Sequence, residues 1–340
     1  MRWLERVTDS GPPVGFLLHP EAPLHDTGWG HPEHQGRLRA LSSAVGRDLL
    51  VLHDRVVQVE PGHVTEEDLL RVHTPEYLAL LRGAVEQAEQ EAGLVSLDAD
   101  TIVSAASWGA ATGSSAALLT AAERVADGTL SSAFVAARPP GHHATPDRAM
   151  GFCLINHVAV AARWLQATGR AERVLIVDWD VHHGNGTQDT FYDDGTVFYL
   201  SLHQSPHYPG TGAVNDTGVG EGAGWTLNVP LPAGTSAAEY SRHFSEALSQ
   251  GVEASRPDFI LISAGFDVMA GDPLGGMLLE PEDLHGLTRE VMAIATNGSG
   301  DDGSGGVGIV ATLEGGYDPA RTGLGAGAVL RALAGIDRLN

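Results

Sequence analysis

Arg173-Val-Leu-Ile-Val-Asp-Trp-Asp-Val-His-His-Gly-Asn-Gly186 is an aliphatic run that breaks off in two acids and two histidines. Val174 to Val177 reads as a strand buried on both faces, because no polar residue alternates with its apolar side chains. Such strands belong to parallel sheets covered by helices, and in open α/β sheets the carboxyl ends of the strands face the ligand crevice. The polar cluster falls at that end. Asp180 and His182 are two residues apart, so on extended chain they project to the same side. One carboxylate oxygen and one imidazole nitrogen make two-thirds of a divalent-metal site. A third donor should come from another strand end, and Phe259-Ile-Leu-Ile-Ser-Ala-Gly-Phe-Asp267 repeats the pattern of an apolar run closing in an acid.

A third apolar run, Ala133 to Ala137, leads into Arg138-Pro-Pro-Gly-His-His143. A Pro-Pro-Gly turn is rigid, and it presents two adjacent imidazoles that no core-packing argument requires. Singly, each strand-end acid would read as a helix cap. Together, three strand ends supply two carboxylates and three histidines, with His183 to spare, and this is the constellation of a metal hydrolase.

Further apolar runs lie at Val14–Leu18, Val56–Val59, Val197–Leu202, Thr226–Pro230 and Val307–Leu313. Helical patterns fill the gaps at Glu33–Val45, Pro75–Glu91, Ile102–Ala126, Asn156–Thr168, Ala237–Glu253, Pro281–Ala295 and Thr322–Leu333. Strand–helix alternation of this kind predicts an α/β protein with a largely parallel sheet covered on both faces. No linker divides residues 1–340, so one domain is expected. The segment 297–306, rich in Gly, Ser and Asp, reads as a flexible surface loop. The long connections Pro20–Gly30, Thr145–Met150 and Gln204–Glu221 are expected to rim the strand-end crevice.

Composition narrows the class. The one cysteine, Cys153, excludes a disulfide framework and points to a reducing, cytoplasmic setting. No stretch approaches the roughly 18 apolar residues of a membrane span, and no signal-peptide pattern opens the chain. All 20 basic residues are Arg against 43 acids, for a net charge of −23. That surface argues against nucleic acid as a direct partner and is compatible with a cationic substrate.

The ordered motifs resemble the zinc-dependent histone deacetylase family, which includes acetylpolyamine amidohydrolases and bacterial histone-deacetylase-like amidohydrolases. They are His25-Asp-Thr-Gly-Trp-Gly-His-Pro-Glu33, Arg138–His143, Gly151-Phe152 and Asp178–Gly186. Ser201-Leu-His203, Tyr208-Pro-Gly-Thr-Gly212, Ser263–Asp267, Gly271-Asp-Pro-Leu-Gly275 and Glu314-Gly-Gly-Tyr317 complete the series. The match runs from about residue 16 to 330. It implies an arginase/deacetylase-like three-layer fold with a central, mainly parallel, eight-stranded sheet, and one Zn²⁺ on Asp180, His182 and Asp267. The resemblance also implies that Asp178 stands behind His142 and Asn185 behind His143, the latter looking like a class II pattern.

The chemistry suits amide hydrolysis. Bound zinc lowers the pKa of water toward roughly 7–9 and polarises a carbonyl, and three protein ligands leave a position open. His143 is the better placed of the pair for general base and then general acid, a role that typically contributes about 10²–10⁴ in rate. Tyr317, swung round by two glycines, would hydrogen-bond the developing oxyanion. Gly151, Phe152, Tyr208 and Leu274 match the family's acyl-lysine channel. Where polyamine-selective relatives carry a glutamate, this chain has Leu274, which favours an acyl-lysine protein or peptide over a small acetylated amine. A rim acid is expected at Asp98 or Asp100, either of which could instead start the following helix, as Pro32-Glu33 could start its own. The resemblance further implies structural K⁺ held by Asp178, Asp180, His182, Ser201 and Leu202, a second site near Phe191, Asp194 and Val197, and a homo-oligomer. Two other readings have discriminating features. A di-manganese ureohydrolase needs an acid two positions after His182, where Gly184 stands. A silent acetyl-lysine-binding module would have lost His143, Tyr317 or a zinc ligand, and all are kept.

Overall fold

The protein is described here by a computed structural model covering residues 11–297 and 306–337. Most of the segment 297–306, expected to form a flexible loop, lies outside the described residues. Among the described residues ten strands follow one another: β1 Val14–Leu17, β2 Val56–Gln58, β3 Val95–Ser96, β4 Ile102–Val103, β5 Ser132–Val135, β6 Val174–Asp178, β7 Val197–Gln204, β8 Thr226–Leu231, β9 Phe259–Ala264 and β10 Gly308–Leu313. Eight form one sheet in the order β2-β1-β5-β10-β9-β6-β7-β8, every pair parallel. These are the eight runs expected from the sequence.

Both faces of the sheet are covered, which is why its central strands carry unbroken apolar runs. Leu175 and Val177 join Ile260, Ile262, Ile309 and Ala311 in a core beneath helices 36–47, 237–255, 281–297 and 319–333. Val174 and Ile176 point the other way, with Leu261 and Val310, against helices 75–90, 107–126 and 157–167. The alternation is the two-residue period of extended chain.

β5 and β6 follow one another in this sheet's chain order, yet β10 and β9 lie between them. From β6 the chain winds outward through β7 and β8, and from β1 it winds to β2 at the opposite edge. The crevice at that reversal is where doubly wound sheets bind ligands, and all four central strands end in chemically active residues.

Three helix starts differ from expectation by three residues or more, and one of them is that of the last helix, expected from Thr322, which begins at Pro319 behind an Asp318 cap. The helix expected from Ile102 begins at Ser107, because Ile102 and Val103 pair antiparallel with Ser96 and Val95. The helix expected from Glu33 begins at Gly36, and Glu33 has another role, described below.

Candidate active site

Asp180, His182 and Asp267 are buried, with one donor atom from each lying within 4.8 Å of the others. His182 Nδ1 is 3.1 Å from Asp180 Oδ1 and 3.2 Å from Asp267 Oδ2. Backbone N–H groups fix the far sides of both acids: Gly315 donates to Asp180 Oδ2 at 2.7 Å, and Val181 to Asp267 Oδ1 at 3.0 Å. Asp267 Oδ2 makes no well-formed hydrogen bond although it is buried. Burial, reinforced by the Asp180 charge, pushes the Asp267 carboxyl up to about 7. Two crowded carboxylates, one with an unclaimed oxygen, and an imidazole are a donor set that a divalent cation would satisfy. Close backbone approach secures the cluster. A Cβ on Gly315 would stand 2.0 Å from Asp267 Oδ2, so only glycine fits.

The histidine pair has unequal partners. His142 Nδ1 donates to Asp178 Oδ2 at 3.0 Å, an oxygen that also accepts from the Tyr199 hydroxyl at 2.9 Å. His143 Nδ1 donates to Asn185 Oδ1 at 2.9 Å. The rings are 4.1 Å apart, and that of His143 lies 5.9 Å from His182. Burial alone would lower His142, but Asp178 and Asp180 push it up to about 10. Burial also lowers His143, and there the neighbouring imidazoles His142 and His182 lower it further, well below the usual range. Neutral Asn185 provides little counterweight.

Tyr317 is held by its backbone. Its N–H donates to Asp272 Oδ2 at 2.6 Å, while Arg37 Nε donates to the carbonyl of Gly316 at 2.6 Å. The Arg37 guanidinium also lies over the Tyr317 ring, 5.0 Å from its centre. Burial raises the phenol well above its usual value, so it stays protonated and available as a donor. Arg37 and Arg138 both pair with the fully buried Glu33, at 2.9 and 2.8 Å.

A cavity of about 430 Å³ opens onto this centre, lined among others by His143, Gly151, Phe152, His182, Tyr208, Leu274 and Tyr317. The Phe152 ring meets Tyr317 edge-on at 5.7 Å, and Tyr208 meets His143 at 5.2 Å. Phe152 adopts φ +68, a left-handed conformation uncommon outside glycine. Gly151 beside it has φ +56, and a Cβ there would come within 2.4 Å of the His143 ring. The turn thus brings the channel wall against the histidine. Of the two candidate rim acids, Asp100 lines the cavity. Asp98 is exposed, and its Oδ1 accepts the N–H groups of Asp100 and Thr101. Of the long connections expected at the rim, 204–221 contributes Gln204, His207 and Tyr208 to the cavity. Met150 reaches Asn185 through its sulfur at 3.3 Å. Among the residues implied for potassium, Asp178 and Ser201 stand in register on β6 and β7. Ser201 Oγ is also bonded to His203 Nδ1 at 2.9 Å.

A family model described as the histone deacetylase domain matches residues 31–333. The chain belongs to the histone deacetylase family. It is 36% identical over 328 residues to a probable deacetylase of Archaeoglobus fulgidus, covering 95% of this chain and 87% of that one. It is 34% identical over 325 residues to the histone deacetylase-like amidohydrolase of Pseudomonas aeruginosa, covering 95% and 81%. The crystal structure of the HDA15 HD domain superposes with a TM-score of 0.86 at 33% identity, covering 95% of this chain and 89% of that one.

This histone deacetylase family chain also holds site residues that sequence reasoning missed. Glu33 is no ordinary helix start. It is the buried counter-charge for Arg37 and Arg138, four and 105 residues away, and the sequence signals for it were its place at the end of the His25–Glu33 motif and an arginine one helical turn onward. His207 stacks on the His182 ring at 4.8 Å and donates from Nε2 to the carbonyl of Leu274 at 2.8 Å. Asp272 was visible within its Gly-Asp-Pro-Leu-Gly motif, but its bonds to backbone N–H groups were not.

Proposed function

We propose that the protein is a zinc-dependent amidohydrolase that removes acetyl or other acyl groups from acyl-lysine side chains. The observation that carries this reading is the arrangement of three metal-donor residues, His143 and Tyr317 around one aromatic-walled cavity. The matched deacetylase and amidohydrolase names agree with it. Asp180, His182 and Asp267 would hold the zinc. Bound there, it would supply Lewis-acid polarisation of the carbonyl and a lowered pKa for water.

The chain's own groups provide the rest. Neutral His143 accepts a proton from the attacking water as its oxygen bonds to the carbonyl carbon. Asn185 holds the imidazole in the required tautomer and orientation. Tyr317 donates a hydrogen bond to the carbonyl oxygen as negative charge develops on it. As the C–N bond breaks, His143 returns a proton to the departing amine, leaving a carboxylate and a free lysine. Phe152 and Tyr208 present aromatic surface to the lysine methylenes.

A second substrate class, small acetylated amines, has one observation in its favour. The Asp100 carboxylate lines the cavity of a strongly acidic protein and could meet a distal ammonium. Turnover of acetyl-lysine peptides, acetylpolyamines and longer acyl-lysines by zinc-loaded protein, with Asp267→Ala alongside, tests both readings. Asp267→Ala is expected to lose bound zinc by elemental analysis and turnover together. Full metal content in that variant, or no turnover of any substrate by the parent, would overturn the proposal.

A further inference from the structure

We infer that Asp272 is a positioning residue that sets the Tyr317 phenol and the Leu274 wall of the cavity against one another; this rests on the amidohydrolase reading above. Asp272 is buried, and its two oxygens serve different loops. Oδ2 accepts the N–H of Tyr317 at 2.6 Å and that of Asp318 at 3.2 Å. Oδ1 accepts the N–H of Leu274, two residues onward, at 2.9 Å. One carboxylate therefore joins the turn that carries the oxyanion donor to the loop that carries the channel wall.

The other side of that loop is held as well. The carbonyl of Leu274 accepts from His207 Nε2, and the His207 ring stacks on the metal-donor residue His182. Leu274 is thus fixed at both its N–H and its C=O. A Cβ on Gly275 would come within 2.1 Å of the carbonyl of Asp267, so the loop lies directly on the third metal-donor residue. Tyr317, Asp272, Leu274, His207 and His182 form one connected set around the cavity. A substrate chain lying against Leu274 is thereby set at a fixed height relative to the phenol.

Three N–H donors converge on Asp272, and an amide could not satisfy them. Asparagine has one acceptor oxygen, and its NH₂ would face either the Leu274 N–H or the Tyr317 and Asp318 N–H groups, donor against donor. Asp272→Asn keeps the shape while breaking one side of the tether, so it is the informative variant. If Asp272 acts through the phenol, its effect should vanish once the phenol hydroxyl is gone, and a double-mutant cycle measures this.

In zinc-loaded full-length protein, Asp272→Asn is expected to lower kcat by about 10- to 100-fold with metal content unchanged. Introduced into Tyr317→Phe, the same change should lower the residual kcat by less than about threefold. Equal fold-losses in both backgrounds, an unchanged kcat, or loss of zinc in step with activity would each overturn the inference. If Asp272→Asn is not recovered folded, Asp272→Ser goes through the same cycle with the same criteria. The parent enzyme's turnover of the substrate panel tests the underlying reading separately, since an active parent with additive losses refutes only the tether.

Discussion

His143 donates from Nδ1 to the side-chain oxygen of Asn185 at 2.9 Å, whereas its neighbour His142 has a carboxylate in the equivalent place. The difference leaves one imidazole suited to accept a proton and the other charged. Burial and the flanking imidazoles hold His143 well below its usual range, while Asp178 and Asp180 overcome burial at His142 and push it up to about 10. Asn185→Asp should stabilise imidazolium at His143 and raise its pKa by about one unit or more. The base form is then lost at higher pH. The acidic limb of the kcat/KM profile should therefore move upward by a similar amount, and a limb that stays in place would mean the base is another group.

Tyr317→Phe removes one hydroxyl and leaves intact the backbone bond to Asp272 and the contact with Arg37. Metal content and fold should be retained. The loss should fall on kcat, by at least about 10²-fold, the scale of one oxyanion donor. Parental turnover of an acetyl-lysine peptide by this variant would make the phenol structural.

Glu33 is the third case, and its effect is on stability. Burial alone would raise its carboxyl, but Arg138 and then Arg37 overcome this and hold it at about 2. Because the folded value lies below the unfolded one of about 4.5, the stabilisation is fully present above pH ~4.5. It is lost as pH falls toward ~2. Glu33→Gln would leave two buried guanidiniums without a counter-charge and should cost about 3–5 kcal/mol near neutral pH. Denaturant titrations at several pH values would show it, together with a flatter acid limb in the variant. Equal stability at pH 7 would mean that the arginines are neutralised elsewhere.

The strands were legible because burial on both faces leaves a continuous apolar run, as in Val174 to Val177 and Phe259 to Ser263. The strand ends were legible because polar groups with no packing role follow directly, as at Asp180, His182 and Asp267. Contacts closed by long-range pairing were not. Ile102 looked helical because nothing local announces its pairing with Ser96, and Glu33 looked like a helix start because Arg138 is 105 residues away. Bonds to the backbone leave no pattern in side-chain identity. For that reason His207 escaped notice and the bonds of Asp272 went unread, although together they fix the peptide of Leu274, a residue whose own position was recognised.

Leu274 is the residue on which substrate choice should turn. It is half-buried on the cavity wall, and its peptide is held on both sides by Asp272 and His207. The side chain is therefore presented at a fixed place, so a substitution should act on what it touches more than on the loop. A leucine offers the distal ammonium of an acetylated polyamine no partner and would partly desolvate it, which costs binding energy. The same surface would pack against the methylenes of an acyl-lysine. Acetyl-lysine peptide should accordingly exceed acetylspermidine in kcat/KM for the parent, and comparable values would refute that preference. Leu274→Glu puts a carboxylate where the ammonium would lie. It should raise the polyamine-to-lysine ratio of kcat/KM about tenfold, the ~1.4 kcal/mol of one partly desolvated ion pair. Because Asp100 also lines the cavity, the comparison should be repeated in Asp100→Asn. If the rim acid rather than the wall selects the cation, the ratio will follow residue 100 and stay unchanged on substitution at 274.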